Sequence, residues 1–420
     1  MAARVLMMPL MVSVFVATAG AVDVAAQKLT YRGYAEAAIL LYPQEAPNDG
    51  DQAIADGLLR FEPSWEIKRG IAIAGSFDAR LDNHHETTET AEVTFWDRTV
   101  RRPTLAIRRL TFTYARGPVS IEAGKQFVRW GQTDILAPTD RFSPRDYLTV
   151  PASELLAVTA ARVTVAGKGH SIEAVYTPRM TPSRMPIITH RWIGLEAAEA
   201  AAESGLTLRD AGSHFPSRSQ YGLRWNHVGR WFEHSIAFFQ GFNSLPLTPV
   251  TVNPRSGTID VRREYPAIQV WGGDIVAPFS AVAVKAEAAY VRSRDDDADE
   301  YALYVVQMER QHRDWLFIGG YVGEHVFEER SLRSFEPDRG MARAIFGRAS
   351  YTIGATRSLV FESMVRQNGD GLLVKAEYGH GLGQHWRVTL RAIVIRGAED
   401  DFLGQYRRNS FGGPQVRYSF

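Results

Sequence analysis

Cysteine is absent from all 420 residues. That excludes disulfides, thiolate metal centres, cysteine nucleophiles and a lipid-modified cysteine anchor. Charge imbalance is absent too. Lys and Arg number 48 against 47 Asp and Glu, so the formal net charge of +1 gives no broad pull on nucleic acid. Beyond the first residues no apolar run reaches the roughly 18 residues of a membrane-spanning helix. Helix-forming segments are nearly missing, and only LEAAEAAAESG (Leu195 to Gly205) reads as one, a short cap on a long loop. No GxGxxG or phosphate-binding loop opens a helix, so no cofactor is expected. The histidines are scattered and no Ser–His pairing is legible, so no catalytic residue is assigned.

What is present begins with a leader. Arg4 supplies a positive charge, Val5 to Ala17 an apolar stretch, and small residues follow as cleavage candidates. Cleavage is expected after Ala26, which divides the chain into an export signal (1–26) and a single domain (27–420).

That domain alternates. Tyr31, Gly33, Ala35, Ala37, Ile39 and Leu41 interleave with Arg32, Tyr34 and Glu36. Leu59, Phe61, Trp65 and Ile67 interleave with Arg60, Glu62 and Glu66, and Val282, Val284, Ala286, Ala288 and Tyr290 oppose Lys285 and Glu287. Leu372, Val374, Ala376 and Tyr378 oppose Lys375 and Glu377, while Val388, Leu390, Ala392 and Val394 oppose Arg387, Thr389 and Arg391. A period of two over about ten residues marks a half-buried strand. Segments 266–276 and 315–326 have ambiguous parity and are placed by spacing. Short turns alternate with long polar stretches, one short exception lying at 367–371, and about 18 strands result.

Charges persist in mid-strand on one face, and rings such as Tyr31, Trp65, Phe112, Tyr114, Tyr290 and Tyr378 end the other. A sandwich core would not ask for this, whereas strands between lipid and a wet lumen do. The expected fold is all-β: a closed antiparallel transmembrane barrel with short periplasmic turns and long extracellular loops. In hydrocarbon every backbone polar group must be paired, so the last strand, Val416, Tyr418 and Phe420 alternating with Gln415, Arg417 and Ser419, should close on the first.

An alternating final strand that ends on Phe420 resembles the terminal signature of bacterial outer-membrane proteins. The resemblance implies insertion by the barrel-assembly machinery, with Val416, Tyr418 and Phe420 as the strand it reads. GKQFVRWGQTDILAPTDRFSPRDYL (Gly124 to Leu148) is similar to a strand-to-loop segment of a porin-like group that includes alginate-export-type barrels.

The inferred function is a channel for small hydrophilic solutes in the outer membrane, with lipid as its other partner. The alternatives are a surface adhesin or receptor and a barrel hydrolase. The lumen candidates on the wall are Lys285, Glu287, Lys375, Glu377, Arg387 and Arg391. The loop after the fifth strand adds Arg129, Asp134, Asp140, Arg141, Arg145 and Asp146, stiffened by Pro138 and Pro144, and should fold inward to narrow the pore. TPRMTPSRMPIITHRW, with Arg179, Arg184 and Arg191, is a second inward candidate. His84, His85 and Glu86 in NHHETTE, and the acidic RDDDADE, are candidate metal loops, but neither has a full ligand spacing, so no metal is assigned.

Overall fold

The computed structural model describes residues 28–420 except 90, 92, 195–202, 331–334 and 368–369. The expected leader, and all but the last three residues of the expected Leu195–Gly205 helix, lie outside the described residues. Eighteen antiparallel strands form one sheet closed on itself. In chain order they are β1 (Lys28–Leu41), β2 (Ala53–Lys68), β3 (Ile71–Asp82), β4 (Leu105–Arg116), β5 (Val119–Gln126) and β6 (Val158–Gly167). Then come β7 (His170–Thr177), β8 (Gln220–Val228), β9 (Glu233–Phe242), β10 (Ala267–Pro278), β11 (Ala283–Ser293) and β12 (Glu300–His312). The last six are β13 (Trp315–Glu328), β14 (Ala344–Ile353), β15 (Arg357–Arg366), β16 (Gly371–Leu382), β17 (Trp386–Gly397) and β18 (Phe411–Ser419).

Each strand pairs with its chain neighbours, and β18 pairs with β1 to close the circle. Tyr34 stands opposite Ser419, Glu36 opposite Arg417 and Ala38 opposite Gln415. The Phe420 N–H donates to the Gly33 carbonyl and the Gly33 N–H to the Phe420 carbonyl, both at 3.0 Å. The sheet therefore has no open edge, and its chain end is bonded to the final residue. At one rim, tight turns join β2 to β3, β4 to β5 and so on to β16 and β17. The opposite rim carries the long loops, the longest between Thr177 and Gln220, and a short link between β15 and β16. Both patterns agree with the turn and loop spacing in the sequence.

The exterior is apolar because it has nothing polar to pair with. Tyr31, Phe112, Ile236, Val306 and Ile345 all point outward and are exposed. Trp315 stacks on Tyr351 at 4.5 Å and Trp386 leans on Tyr418 at 4.9 Å, both pairs near the short-turn rim. Trp271 stacks on Tyr290 at 5.9 Å and Tyr290 meets Phe327 at 5.5 Å towards the loop rim. Two aromatic girdles thus flank an aliphatic band, as lipid-facing strands require. A charge placed in that band should be costly. Val306→Lys, at mid-height on β12, is expected to destabilise the barrel by about 2–4 kcal/mol. Val252→Lys, on an exposed loop strand, should have almost no effect. Urea unfolding in lipid vesicles measures both, and equal effects would argue that Val306 does not face lipid.

The interior is not uniformly ionic, which departs from the sequence-based expectation. Towards the short-turn rim the inward positions are charged. Towards the loop rim of β7–β15 they are apolar: Val175, Phe239, Ile268, Val270, Val291, Leu303, Val305, Val322, Phe346 and Met364 form one buried cluster. This explains the two segments of ambiguous parity. On β10 and β13 both faces are apolar there, one against lipid (Trp271, Phe317) and one against a covered interior (Ile268, Val270, Ile318, Val322).

Candidate functional site

The cover is the segment between β5 and β6, residues 127–157, which crosses the lumen and docks on the opposite wall. Its sequence carries the docking groups. Val128, Trp130, Leu136 and Phe142 enter the apolar cluster, Trp130 meeting Phe142 edge-on at 5.1 Å and Phe142 meeting Phe239 edge-on at 4.9 Å. The indole N–H of Trp130 reaches the Glu173 carboxylate on β7 at 2.6 Å. Gly222 on β8 makes room: a Cβ there would lie 2.5 Å from the Trp130 ring and 2.8 Å from Phe142.

Glu287 on β11 is the polar anchor. Its Oε2 accepts from the Gln132 N–H (2.9 Å), the Thr133 N–H (3.3 Å) and the Thr133 hydroxyl (2.9 Å). Its Oε1 accepts from the Thr139 N–H and hydroxyl, both at 2.8 Å. Five donors saturate a carboxylate, and a buried one needs them. Gly131, at φ +92°, lets the chain pass this close, since a Cβ would sit 2.5 Å from Oε1. The Trp130–Gly131 and Pro138–Thr139–Asp140 groups of the quoted segment are therefore its attachment points.

The remaining predicted residues fall into separate sets. Asp134 joins the wall directly, accepting from Lys285 Nζ (2.9 Å) and the Gln307 amide, while its own N–H donates to Gln307 Oε1 (3.1 Å). Lys285 also pairs with Glu309 at 3.0 Å. Asp146 is buried and tied into the loops above, paired with Arg102 (2.9 Å) and Arg184 (3.0 Å), Arg184 also bonding Asp97. On the far wall Glu377 pairs with Arg391 (3.2 Å), Lys375 with Glu362 (3.4 Å), and Arg387 donates to the Ser358 hydroxyl (3.0 Å). Val416, Tyr418 and Phe420 lie on the outer face of β18, away from the lumen.

Arg141 and Arg145 differ from these. Among the described residues neither has a carboxylate within ion-pair distance. Both line a cavity of about 320 Å³ between the inward loop and β14–β16, together with Asp134, Asp140, Arg348 and Glu362. Arg348 leans towards Glu362 at 3.5 Å. Asp140 accepts from the Trp130 N–H (3.2 Å) and the Ser143 hydroxyl (2.7 Å), and Arg129 lies 3.9 Å away with its side chain largely exposed. Burial pushes the Asp140 carboxyl up to about 6, against those hydrogen bonds and the pull of Arg129 and Arg145.

A wider cavity of about 600 Å³ opens towards the loop rim, lined by Arg98, Arg101, Arg263, Asp210 and Tyr265, and it shares Ser183 with the first. A third, of about 120 Å³, lies between residues 149–154 and the β1–β18 seam. The second inward candidate packs among the loops. Arg184 is buried as described, and Arg191 lies over the Tyr42 ring at 3.7 Å beside the buried Trp192. Arg179 instead stacks on Trp96.

Sequence reading missed Gln307, Arg348, Arg102 and the buried Arg224–Asp274 pair (2.8 Å). Gln307, wholly buried, was the most findable: it is the lone amide between Val306 and Met308.

No family model and no curated protein matches the chain. Solved structures do. A BenF-like porin from Pseudomonas fluorescens Pf-5 is similar over 93% of this chain and 98% of that chain, with TM-score 0.54 and 9% identity. Pseudomonas aeruginosa OccK5 (OpdH) is similar over 94% and 97%, with TM-score 0.52 and 7% identity. At such identities the likeness is one of fold: a closed barrel of the porin type.

Proposed function

We propose that this barrel is an outer-membrane channel through which small hydrophilic solutes diffuse. The observation that carries the reading is a closed barrel that holds a charge-lined cavity beside the inward loop and a wider cavity towards the loop rim, with Ser183 lining both. Two similar structures, a BenF-like porin and OccK5, favour the same reading. Residues 27–420 form the barrel domain, 1–26 direct export, and the Val416–Tyr418–Phe420 strand serves the assembly machinery. The loop 127–157 acts as the constriction, with size set by its docking and charge by Arg141, Arg145, Asp134 and Asp140. Chemistry on a substrate is not part of the reading, because a passive filter needs no nucleophile.

Reconstitution in planar bilayers tests it. Discrete ohmic steps are expected, and silence from folded protein would move the function to the loops as a surface receptor. The same recordings carry a pH prediction. Lowering pH through about 6 protonates Asp140 and removes one negative charge from the cavity, so the anion-to-cation permeability ratio should rise. Asp140→Asn should abolish that inflection.

A further inference from the structure

Three loops meet at the loop rim over a group of side chains that the inward loop does not use. His84 and Glu86 come from the β3–β4 loop, His190 from the β7–β8 loop and Asp49 from the β1–β2 loop. His84, Glu86 and His190 are 4%, 6% and 8% exposed, so each is more than nine-tenths buried. The two imidazoles stand 4.2 Å apart between centroids. His84 Nε2 bonds Asp49 Oδ2 at 2.8 Å. Its Nδ1 is buried without a hydrogen-bond partner and lies 3.5 Å from Glu86 Oε1.

The surroundings fix these groups. Arg102 Nη1 holds the other Glu86 oxygen at 2.6 Å. Asp49 accepts from the N–H groups of Asp51 and Arg191, both at 3.0 Å. Asn48 Nδ2 holds the His190 carbonyl at 2.7 Å. Ligand atoms of His84, Glu86 and His190 all lie within 4.8 Å of one another.

The geometry points to a divalent transition-metal site of zinc type, with His84 Nδ1, Glu86 and His190 as ligands and Asp49 behind His84. Two imidazoles and a carboxylate are a zinc donor set that leaves a fourth position for water. A tetrahedron with zinc–ligand bonds of about 2.05 Å has edges of about 3.3 Å. The 3.5 Å between His84 Nδ1 and Glu86 Oε1 fits that edge, and His190, within 4.8 Å, closes the set by a side-chain movement. Asp49 completes the carboxylate–histidine–metal arrangement, in which the rear hydrogen bond fixes the tautomer and aims the other nitrogen forward. Without a cation the flanking carboxylates outweigh burial and hold the His84 imidazole protonated, up to about 9. Burial and the nearby His84 charge keep His190 neutral, down to about 4. The metal would take the place of the His84 proton and cross-link three loops at the mouth.

Tag-free, chelator-washed protein in detergent tests the assignment, with Zn²⁺ titrated against a chromophoric chelator and Co²⁺ as a spectroscopic probe. One equivalent of zinc at micromolar affinity or tighter is expected, with visible Co²⁺ absorption of a low-coordinate site and an unfolding midpoint raised by Zn²⁺ but not Mg²⁺. His190→Ala, which leaves the His84 contacts to Asp49 and Glu86 in place, should weaken zinc at least tenfold. His227→Ala should not, although His227 stacks on His170 and meets His234 edge-on on the outer face. No zinc uptake, or uptake unchanged in His190→Ala, or lost only in His227→Ala, would overturn the proposal and leave His84 as a buried imidazolium.

Discussion

Glu287→Gln is expected to enlarge the single-channel step and make it noisy, because the inward loop loses its anchor. Five donors converge on the two carboxylate oxygens. An amide has one acceptor oxygen, and its NH₂ must face donors whichever way it is turned. The threonine hydroxyls can rotate to accept, but at least one backbone N–H, that of Thr139 in the better orientation, then meets another donor. An unsatisfied buried N–H costs about 1–3 kcal/mol, and the lost charge weakens the remaining bonds. A total near 3 kcal/mol shifts the docked-to-undocked ratio roughly 150-fold. Protease cleavage within residues 127–157 should rise in parallel, while the barrel wall stays folded through its closed ladder. A step unchanged in size and noise would mean that the aromatic packing around Trp130 and Phe142 holds the loop alone.

That anchor also marks where sequence reading reached and where it stopped. Strand positions and rim assignment were legible, because lipid on one side and water on the other write a period of two into β1, β2, β11, β16 and β17. Loop 127–157 was legible as special through its prolines and charges. Its docking was not. Glu287 reads as one more inward charge beside Lys285, and only the fold brings Thr133 and Thr139 onto it, about 150 positions away in the chain. The same holds for Asp146: its spacing suggested a pore residue, yet Arg102 and Arg184 reach it from two other loops and bury it. Where the interior is covered, on β10 and β13, the period itself dissolves, since both faces are then apolar.

Arg141→Ala with Arg145→Ala is expected to turn the channel towards cations. Three arginines of the main cavity (Arg141, Arg145, Arg348) face four carboxylates (Asp134, Asp140, Asp338, Glu362). Two of those carboxylates are neutralised from the wall, Asp134 by Lys285 and Glu362 by Lys375 with Arg348. Asp140 and Asp338 are then balanced by Arg141 and Arg145, with the largely exposed Arg129 at 3.9 Å from Asp140. Removing both arginines makes the cavity more negative by two unit charges. One unit charge about 6 Å from the ion path is worth about 0.7 kcal/mol even at the permittivity of water, or about threefold in local ion concentration. Two such changes raise local cations about tenfold and lower anions about tenfold, roughly a hundredfold shift in the anion-to-cation permeability ratio, read from the reversal potential across a salt gradient. Salt should diminish the effect, because screening at 1 M acts over about 3 Å. Lysine at both positions should restore the wild-type ratio, since the argument needs the charge and not the guanidinium. A reversal potential unmoved by the double alanine variant would place the filter elsewhere, in the cavity beside Arg391 and the β1–β18 seam.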